Sequence, residues 1–158
     1  MLNLTVLIHT KASNKHEDFN MKLAQLLTYS GTLPLVACVA LIFAPIAGLD
    51  NIAMAKTYSA IILSFLCGIY WAVFLFFAEK CPRHLLITSN VVALLAWCSL
   101  LVSYHEIAFI FQALCFLFLL MLDFQLRSTG VLPKWFYHLR RNATIIVVSS
   151  LIAMAVLS

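Results

Sequence analysis

YSAIILSFLCGIYWAVFLFFA, residues 58–78, is the stretch that decides the fold. It contains no charged residue and reaches the roughly 20 apolar residues that a transmembrane helix needs. Small side chains recur in it at every fourth position, so a helix would align them in one column: Ala60, Ser64, Gly68 and Ala72. In lipid, such a column lets another helix backbone approach closely. We therefore predict that this helix is the packing centre of a bundle, with Tyr70 and Trp71 beside the column.

The composition of the whole chain points to the membrane. Of its 158 residues, 64% are hydrophobic and 10% are charged, whereas a soluble domain is nearer half apolar and a quarter charged. The net charge of +4 comes from residues that flank the apolar runs. Binding of nucleic acid needs basic residues gathered on a water-exposed face, so we expect the lipid bilayer as a partner and no nucleic acid.

Four further apolar runs accompany the first. The predicted fold is all-α: a polytopic membrane helix bundle with five transmembrane helices, at about residues 26–46, 57–78, 85–103, 107–126 and 135–157. Residues 25–158 would form this domain. Residues 1–24 would form an N-terminal cytoplasmic arm that is disordered or lies on the surface, and either Met1 or Met21 could be the natural start.

Proline predicts irregularity in the first span. Pro34 removes a backbone donor and predicts a kink, which the hydroxyls of Ser30 and Thr32 can ease. Pro45 also lies within the predicted span.

Other residues predict where helices begin and end. Asp50 and Asn51 are suitable N-caps for the second helix, and Gly130 is suitable at the end of the fourth. Residues 104–106 predict a turn so short that the third and fourth helices must be antiparallel neighbours.

Basic residues predict the orientation in the membrane. Nine of the ten flank one side of the five spans, and the tenth, Lys56, is on the other. The nine are Lys11, Lys15, Lys22, Lys80, Arg83, Arg127, Lys134, Arg140 and Arg141. Because cytoplasmic loops carry the excess of Lys and Arg, we predict a multi-pass protein of the cell inner (cytoplasmic) membrane with its N-terminus in the cytoplasm and its C-terminus outside.

Cysteine and histidine offer little chemistry. The five cysteines are scattered and include no C-x-x-C pair, so we expect small apolar packing groups and no disulfide framework. Cys81 and His84 have ligand-like spacing, but two groups cannot complete a four-ligand zinc site. We expect no metal and no cofactor.

The predicted topology brings polar and aromatic residues of all five spans to the cytoplasmic third. The hypothetical binding cluster consists of Tyr29, Tyr70, Trp71, Asn90, Asp123, Arg127 and Arg140. Asp123 is its most informative member, because a carboxylate near a helix C-terminus is opposed by the helix dipole and is costly in lipid. It needs a cation, from Arg127 or Arg140. Such a pair could lock two helices together or line a polar pocket.

Three motifs together resemble a known family. They are Tyr29-Ser-Gly-x-x-Pro34, Ser64-Phe-Leu-x-Gly68-x-x-Trp71 and Leu132-Pro-x-Trp-x-x-x-Leu139-Arg140, with Leu95-Ala-Trp97 between the last two. About residues 25–157 are similar to the transmembrane protein 69-like family of bacterial inner membranes and mitochondria. The resemblance implies five spans and a biochemical role that is uncharacterised. Relatives carry His or another polar residue where Tyr70 stands, which argues against proton handling at this position here.

Two functions follow from these features. The first is a non-catalytic component that binds a membrane-protein partner, or a second copy of itself, through the small-residue column. The alternative is a small carrier or channel with a cytoplasm-facing polar vestibule around Asp123. We expect no enzyme and predict no catalytic residues, because the sequence shows no nucleophile or base with an orienting partner. A large cavity would favour the carrier, whereas a filled interior with an exposed small-residue groove would favour partner binding.

Overall fold

The computed structural model describes residues 20–157, and the predicted arm lies largely outside them. Five helices follow one another: α1 (Leu33–Phe43), α2 (Asn51–Phe77), α3 (Leu85–Leu101), α4 (His105–Ser128) and α5 (Lys134–Leu157). Residues 20–30 are also helical and lead into α1 through a turn at residues 31–32. The all-α fold is as predicted.

The helices have the lengths of membrane spans. In the described part of the chain, four apolar helical segments are long enough to cross a bilayer: Asn20–Phe43, α2, α4 and α5. The fifth, α3, is apolar and has 17 residues, at the short end of the range for a span. Large apolar side chains are exposed along every helix, as expected where lipid covers the surface.

Short connections make successive helices antiparallel, and the bundle closes on itself. Each helix contacts the next, α1 contacts α5, and α2 also contacts α4 across the middle. Because α2 and α4 run in the same direction, both end at the side where α3 and α5 begin. We call this side the basic end, since Lys80, Arg83, Arg127 and Lys134 lie there.

The first span differs from its predicted bounds. It covers Asn20–Phe43 rather than residues 26–46. The chain leaves the helix before Pro45, because the ring of proline disfavours helical conformation in the residue before it. The break at residues 31–32 lies just before Pro34, in agreement with the predicted kink. Thr32 donates its hydroxyl to Tyr29 O at 2.8 Å, and Ser30 donates to Leu27 O at 3.0 Å.

Local signals mark most of the other helix ends. The Asp50 carboxylate accepts a hydrogen bond from Ala53 N at 2.9 Å, so α2 begins at Asn51, six residues before its predicted start. Gly130 ends α4 with a positive φ of 75°, which glycine adopts without strain. The turn before α4 was wrongly placed at residues 104–106, since His105 and Glu106 already belong to the helix. A carboxylate in the first turn is favourable there, because it faces the positive end of the helix dipole.

The small-residue column does not pack inside the bundle. Ala60 is buried, but Ser64, Gly68 and Ala72 are exposed, and a Cβ added at Gly68 would meet nothing within 4 Å. The buried face of α2 instead carries Ser59, Leu63, Cys67 and Tyr70. The prediction that the column is the spine of the bundle is therefore wrong. Lipid tails are as apolar as a protein interior, so the apolar character of α2 does not decide which of its faces turns inward.

Candidate functional site

Three polar side chains from three helices meet near the basic end. Tyr70 comes from α2, Asp123 from α4 and Arg140 from α5, and all three are buried. At 1.5 Å per residue, they lie about 8 to 11 Å from the ends of their helices, so they share one level. We call them the Asp123 cluster.

Both carboxylate oxygens of Asp123 are engaged. Arg140 donates from Nε to Oδ2 at 3.0 Å, and the Tyr70 hydroxyl lies 2.7 Å from Oδ1. The same hydroxyl is 2.9 Å from Leu119 O, so its one proton is shared between two acceptors. With 2% of Asp123 exposed, the arginine supplies the compensating charge that a buried carboxylate requires. The cluster therefore ties α2, α4 and α5 together.

The ion pair distinguishes between the two predicted partners of Asp123. It forms with Arg140, whereas Arg127 places its guanidinium over the Tyr137 ring, 4.9 Å from the centroid. Arg127, on the same helix as Asp123, therefore contacts an aromatic ring at the bundle surface. Arg140, on the next helix, forms the buried ion pair.

Three predicted members of the site lie elsewhere. Tyr29, Trp71 and Asn90 are exposed and form no hydrogen bond or ion pair with the Asp123 cluster. Tyr29 lies nine residues into a span that begins at Asn20, and not at its start. Trp71 and Asn90 each follow a buried residue, and a helix turns about 100° from one residue to the next. The predicted seven-residue cluster therefore reduces to Tyr70, Asp123 and Arg140, with Arg127 nearby on Tyr137.

A cleft of about 170 Å³ borders the Asp123 cluster. It lies between the first span, α2 and α5, with Phe116 of α4 also in its wall. Arg140 and Thr144 line it on α5, and Ile62, Leu66 and Ile69 line it on α2. Neither Asp123 nor Tyr70 is among its lining residues, so the carboxylate does not face a vestibule at this cleft.

A second polar cluster, which the sequence analysis missed, lies toward the other end of the bundle. Gln112 of α4 donates from Nε2 to Lys56 O at 3.0 Å and to Ser99 Oγ at 2.8 Å. The Ser59 hydroxyl shares its one proton between Gln112 Oε1 and Ala55 O. Lys56 donates from Nζ to Val102 O at 2.6 Å, at the C-terminal end of α3. We call these residues the Gln112 cluster; it joins α2, α3 and α4.

The signal for the Gln112 cluster was present in the sequence. Gln112 is a lone amide in an otherwise apolar run, and a buried amide must find hydrogen-bond partners. Lys56 was counted only as a loop charge, but it is buried one turn inside α2. Its ammonium group meets the free carbonyl at a helix end, where a cation is favoured.

The loop between α2 and α3 shows no sign of metal chemistry. Cys81 is buried there, with Sγ 3.9 Å from Val73 O, while His84 is exposed. Burial raises the pKa of the Cys81 thiol, which favours the protonated form over the thiolate that binds metals. Within residues 20–157, no group of three or more His, Cys, Asp or Glu side chains could hold a metal ion.

Comparison with known proteins finds one match. Residues 20–156 match the model of a family described as "Protein of unknown function (DUF3429)". No curated protein matches the chain, and no solved structure matches it. The matched segment includes both polar clusters and all five helices except the last residue of α5.

Proposed function

The chain belongs to the DUF3429 family, whose members have no known function, and we propose that it is a non-catalytic membrane protein that holds a transmembrane helix of a partner protein against α2. We also propose that the chain is related to the transmembrane protein 69-like proteins, that it lies in the inner membrane and that its N-terminus is cytoplasmic.

The observation that carries the proposal is the exposed part of the small-residue column. Ser64, Gly68 and Ala72 follow one another at four-residue intervals on the outer face of α2. The space above Gly68 is open to 4 Å, and the large exposed side chains of Phe65 and Trp71 lie beside it. Close approach of a second backbone is the main use of such a surface in lipid. We therefore expect a transmembrane helix as its occupant.

The interior supports this function over the carrier alternative. The carboxylate of Asp123 is paired on both oxygens, and the amide of Gln112 uses both of its donors and its acceptor. Within the described residues, no side-chain nitrogen or oxygen atom that is itself fully shielded from solvent lacks a partner. Asp123 and Gln112 therefore fix helices in place and offer no free carboxylate or amide oxygen to a transported cation.

Site-specific photo-crosslinking in native membranes tests the proposal. A photoreactive residue at Ala72, on the column, should give one discrete adduct that contains a second membrane protein. The same residue at Leu94, on the exposed face of α3, is the matched control and should give lipid adducts only.

Two results would contradict the proposal. Equal adducts from Ala72 and Leu94 would mean that the column is an ordinary lipid-facing surface. An adduct with a second copy of this chain would replace the heterologous partner with a homo-oligomer.

A further inference from the structure

We propose that the cleft beside Arg140 binds a phospholipid, with its phosphate at Arg140 and Thr144 and an acyl chain along the wall formed by α2. This site is separate from the small-residue column, which faces another direction on α2.

The Arg140 side chain has donors to spare. Only 9% of the residue is exposed, and its one hydrogen bond within residues 20–157 runs from Nε to Asp123. Its two Nη atoms have no such partner, and no buried side-chain nitrogen among these residues is left unsatisfied. The Nη atoms are therefore accessible. Since Arg140 lines the cleft, its Nη groups can donate to an acceptor there.

Thr144 supplies a second unpaired group. It is 6% exposed, lines the same cleft one turn after Arg140, and donates no hydrogen bond to a residue of the described chain. A helical threonine commonly bonds to the carbonyl four residues earlier, and Thr32, which also lines the cleft, bonds locally to Tyr29 O. The free hydroxyl of Thr144 adds a donor beside the guanidinium.

The donors favour an oxygen-rich anionic head. A guanidinium binds phosphate oxygens through parallel N–H bonds, and its own charge is already balanced by Asp123. The surrounding surface supplies the attraction for an anion, because Lys134 and Arg141 are exposed near the start of α5. Basic residues at this position in a membrane protein attract anionic lipid heads.

The walls favour a lipid over free phosphate. Ile62, Leu66, Ile69 and Phe116 form an apolar lining that a small hydrated ion would not use. At the rim, Leu27 is 62% exposed and Phe65 is 66% exposed, so the cleft reaches the lateral surface of the bundle. From Arg140 at one end, the lining extends along α2 from Ile69 to Ile62, a rise of about 10 Å, which suits the first part of an acyl chain.

Binding measurements on the purified full chain in mild detergent test the site. Phosphatidylglycerol should raise the unfolding temperature and be retained in native mass spectra. Diacylglycerol with the same chains, which lacks the phosphate, and inorganic phosphate alone should do neither. Equal effects of diacylglycerol would show that only the chain is bound, and equal effects of phosphate would show a free-anion site; either result overturns the proposal.

Two variants leave the ion pair intact and test the two halves of the site. Thr144→Val keeps the shape but removes the hydroxyl, and should weaken phosphatidylglycerol binding by about tenfold, as expected for a hydrogen bond to a charged group. Ala143→Leu narrows the cleft and should abolish retention of the lipid. Thr57→Val and Ala40→Leu make the same changes at exposed positions outside the cleft and should bind as the wild type does. Wild-type binding by both Thr144→Val and Ala143→Leu would refute the site.

Discussion

Asp123 is held at its depth by groups that other helices bring to it. Its own helix contributes the unfavourable end of a dipole, whereas α5 contributes a cation and α2 a hydroxyl. Removing one member of a buried ion pair strands the other without compensation, and the cost is typically larger than the net value of the pair. We therefore expect simultaneous replacement of Asp123 and Arg140 by neutral residues to destabilise the bundle less than the sum of the two single replacements.

A double-mutant cycle measures this asymmetry. We expect Asp123→Asn and Arg140→Gln each to lower the free energy of unfolding in detergent by about 3 to 5 kcal/mol. The double variant should recover part of that loss, with a coupling energy of about 1 to 3 kcal/mol. The control is Arg127→Gln, whose cation–π contact is worth about 1 kcal/mol and should not couple to Asp123. Coupling to Arg127 in place of Arg140 would contradict the structure.

At the scale of one helix, α2 turns a packed apolar face inward and the small-residue column outward. Leu63 and Tyr70 are buried in the core, while Gly68 has open space above it. A helix of a soluble protein could not also expose large apolar residues on its outer face, but in lipid that face is solvated by hydrocarbon. The two faces of α2 therefore respond differently to the same kind of change.

Two substitutions in α2 separate the faces. Gly68→Leu should change the free energy of unfolding by less than about 1 kcal/mol, because a Cβ at this position meets no atom of the bundle within 4 Å and leucine favours a helix over glycine. Leu63→Ala, on the buried face, should cost about 2 to 5 kcal/mol through lost contacts and a cavity. Thermal unfolding in detergent makes the comparison. A severe loss of stability in Gly68→Leu would return the column to the inside of the bundle.

Sequence could predict those features of α2 and its neighbours that depend on local chemistry. The five helices follow from the length of the apolar runs, and the ends at Asp50 and Gly130 follow from capping and a positive φ. The outward rotation of Gly68 could not be predicted, because apolar periodicity does not separate core from lipid. The cost of placing a carboxylate in lipid predicted that Asp123 pairs with an arginine. The selection of Arg140 depends on how α5 lies against α4, which no local pattern encodes.

At the scale of the whole molecule, two polar clusters fix the register of α2 against α4. Ser59 contacts Gln112, and Tyr70 contacts Asp123; both pairs are 53 positions apart in the chain. The equal separation follows from the parallel direction of the two helices. The contacts are 11 residues apart on each helix, about three turns or 16 Å. Buried Leu63, Cys67 and Phe116 fill the layer between them.

The basic residues at one end of the bundle predict which ends of the helices face the cytoplasm. A reporter that is active only in the cytoplasm should work when fused after Arg83 or Gly130, both at the basic end, because basic loops are retained there. Fusions after Leu49 and after Ser158 should be inactive. The reverse pattern would place the Asp123 cluster on the outer side of the membrane and invalidate the proposed orientation.

The ion pair between α4 and α5 also has a consequence for biogenesis. Arg140 follows Asp123 by 17 positions, so at the usual speed of translation it is made about 1 to 3 s later. Tyr70 has already been synthesised by then, and its hydroxyl is the first member of the cluster available to the new carboxylate. A nascent chain that has just completed α4 thus carries the Asp123 carboxylate before Arg140, its ion-pair partner, has been made. Release of α4 from the insertion machinery into lipid is more favourable together with α5, because the ion pair lowers the cost of the carboxylate. We therefore expect the last two helices to enter the bilayer as a pair.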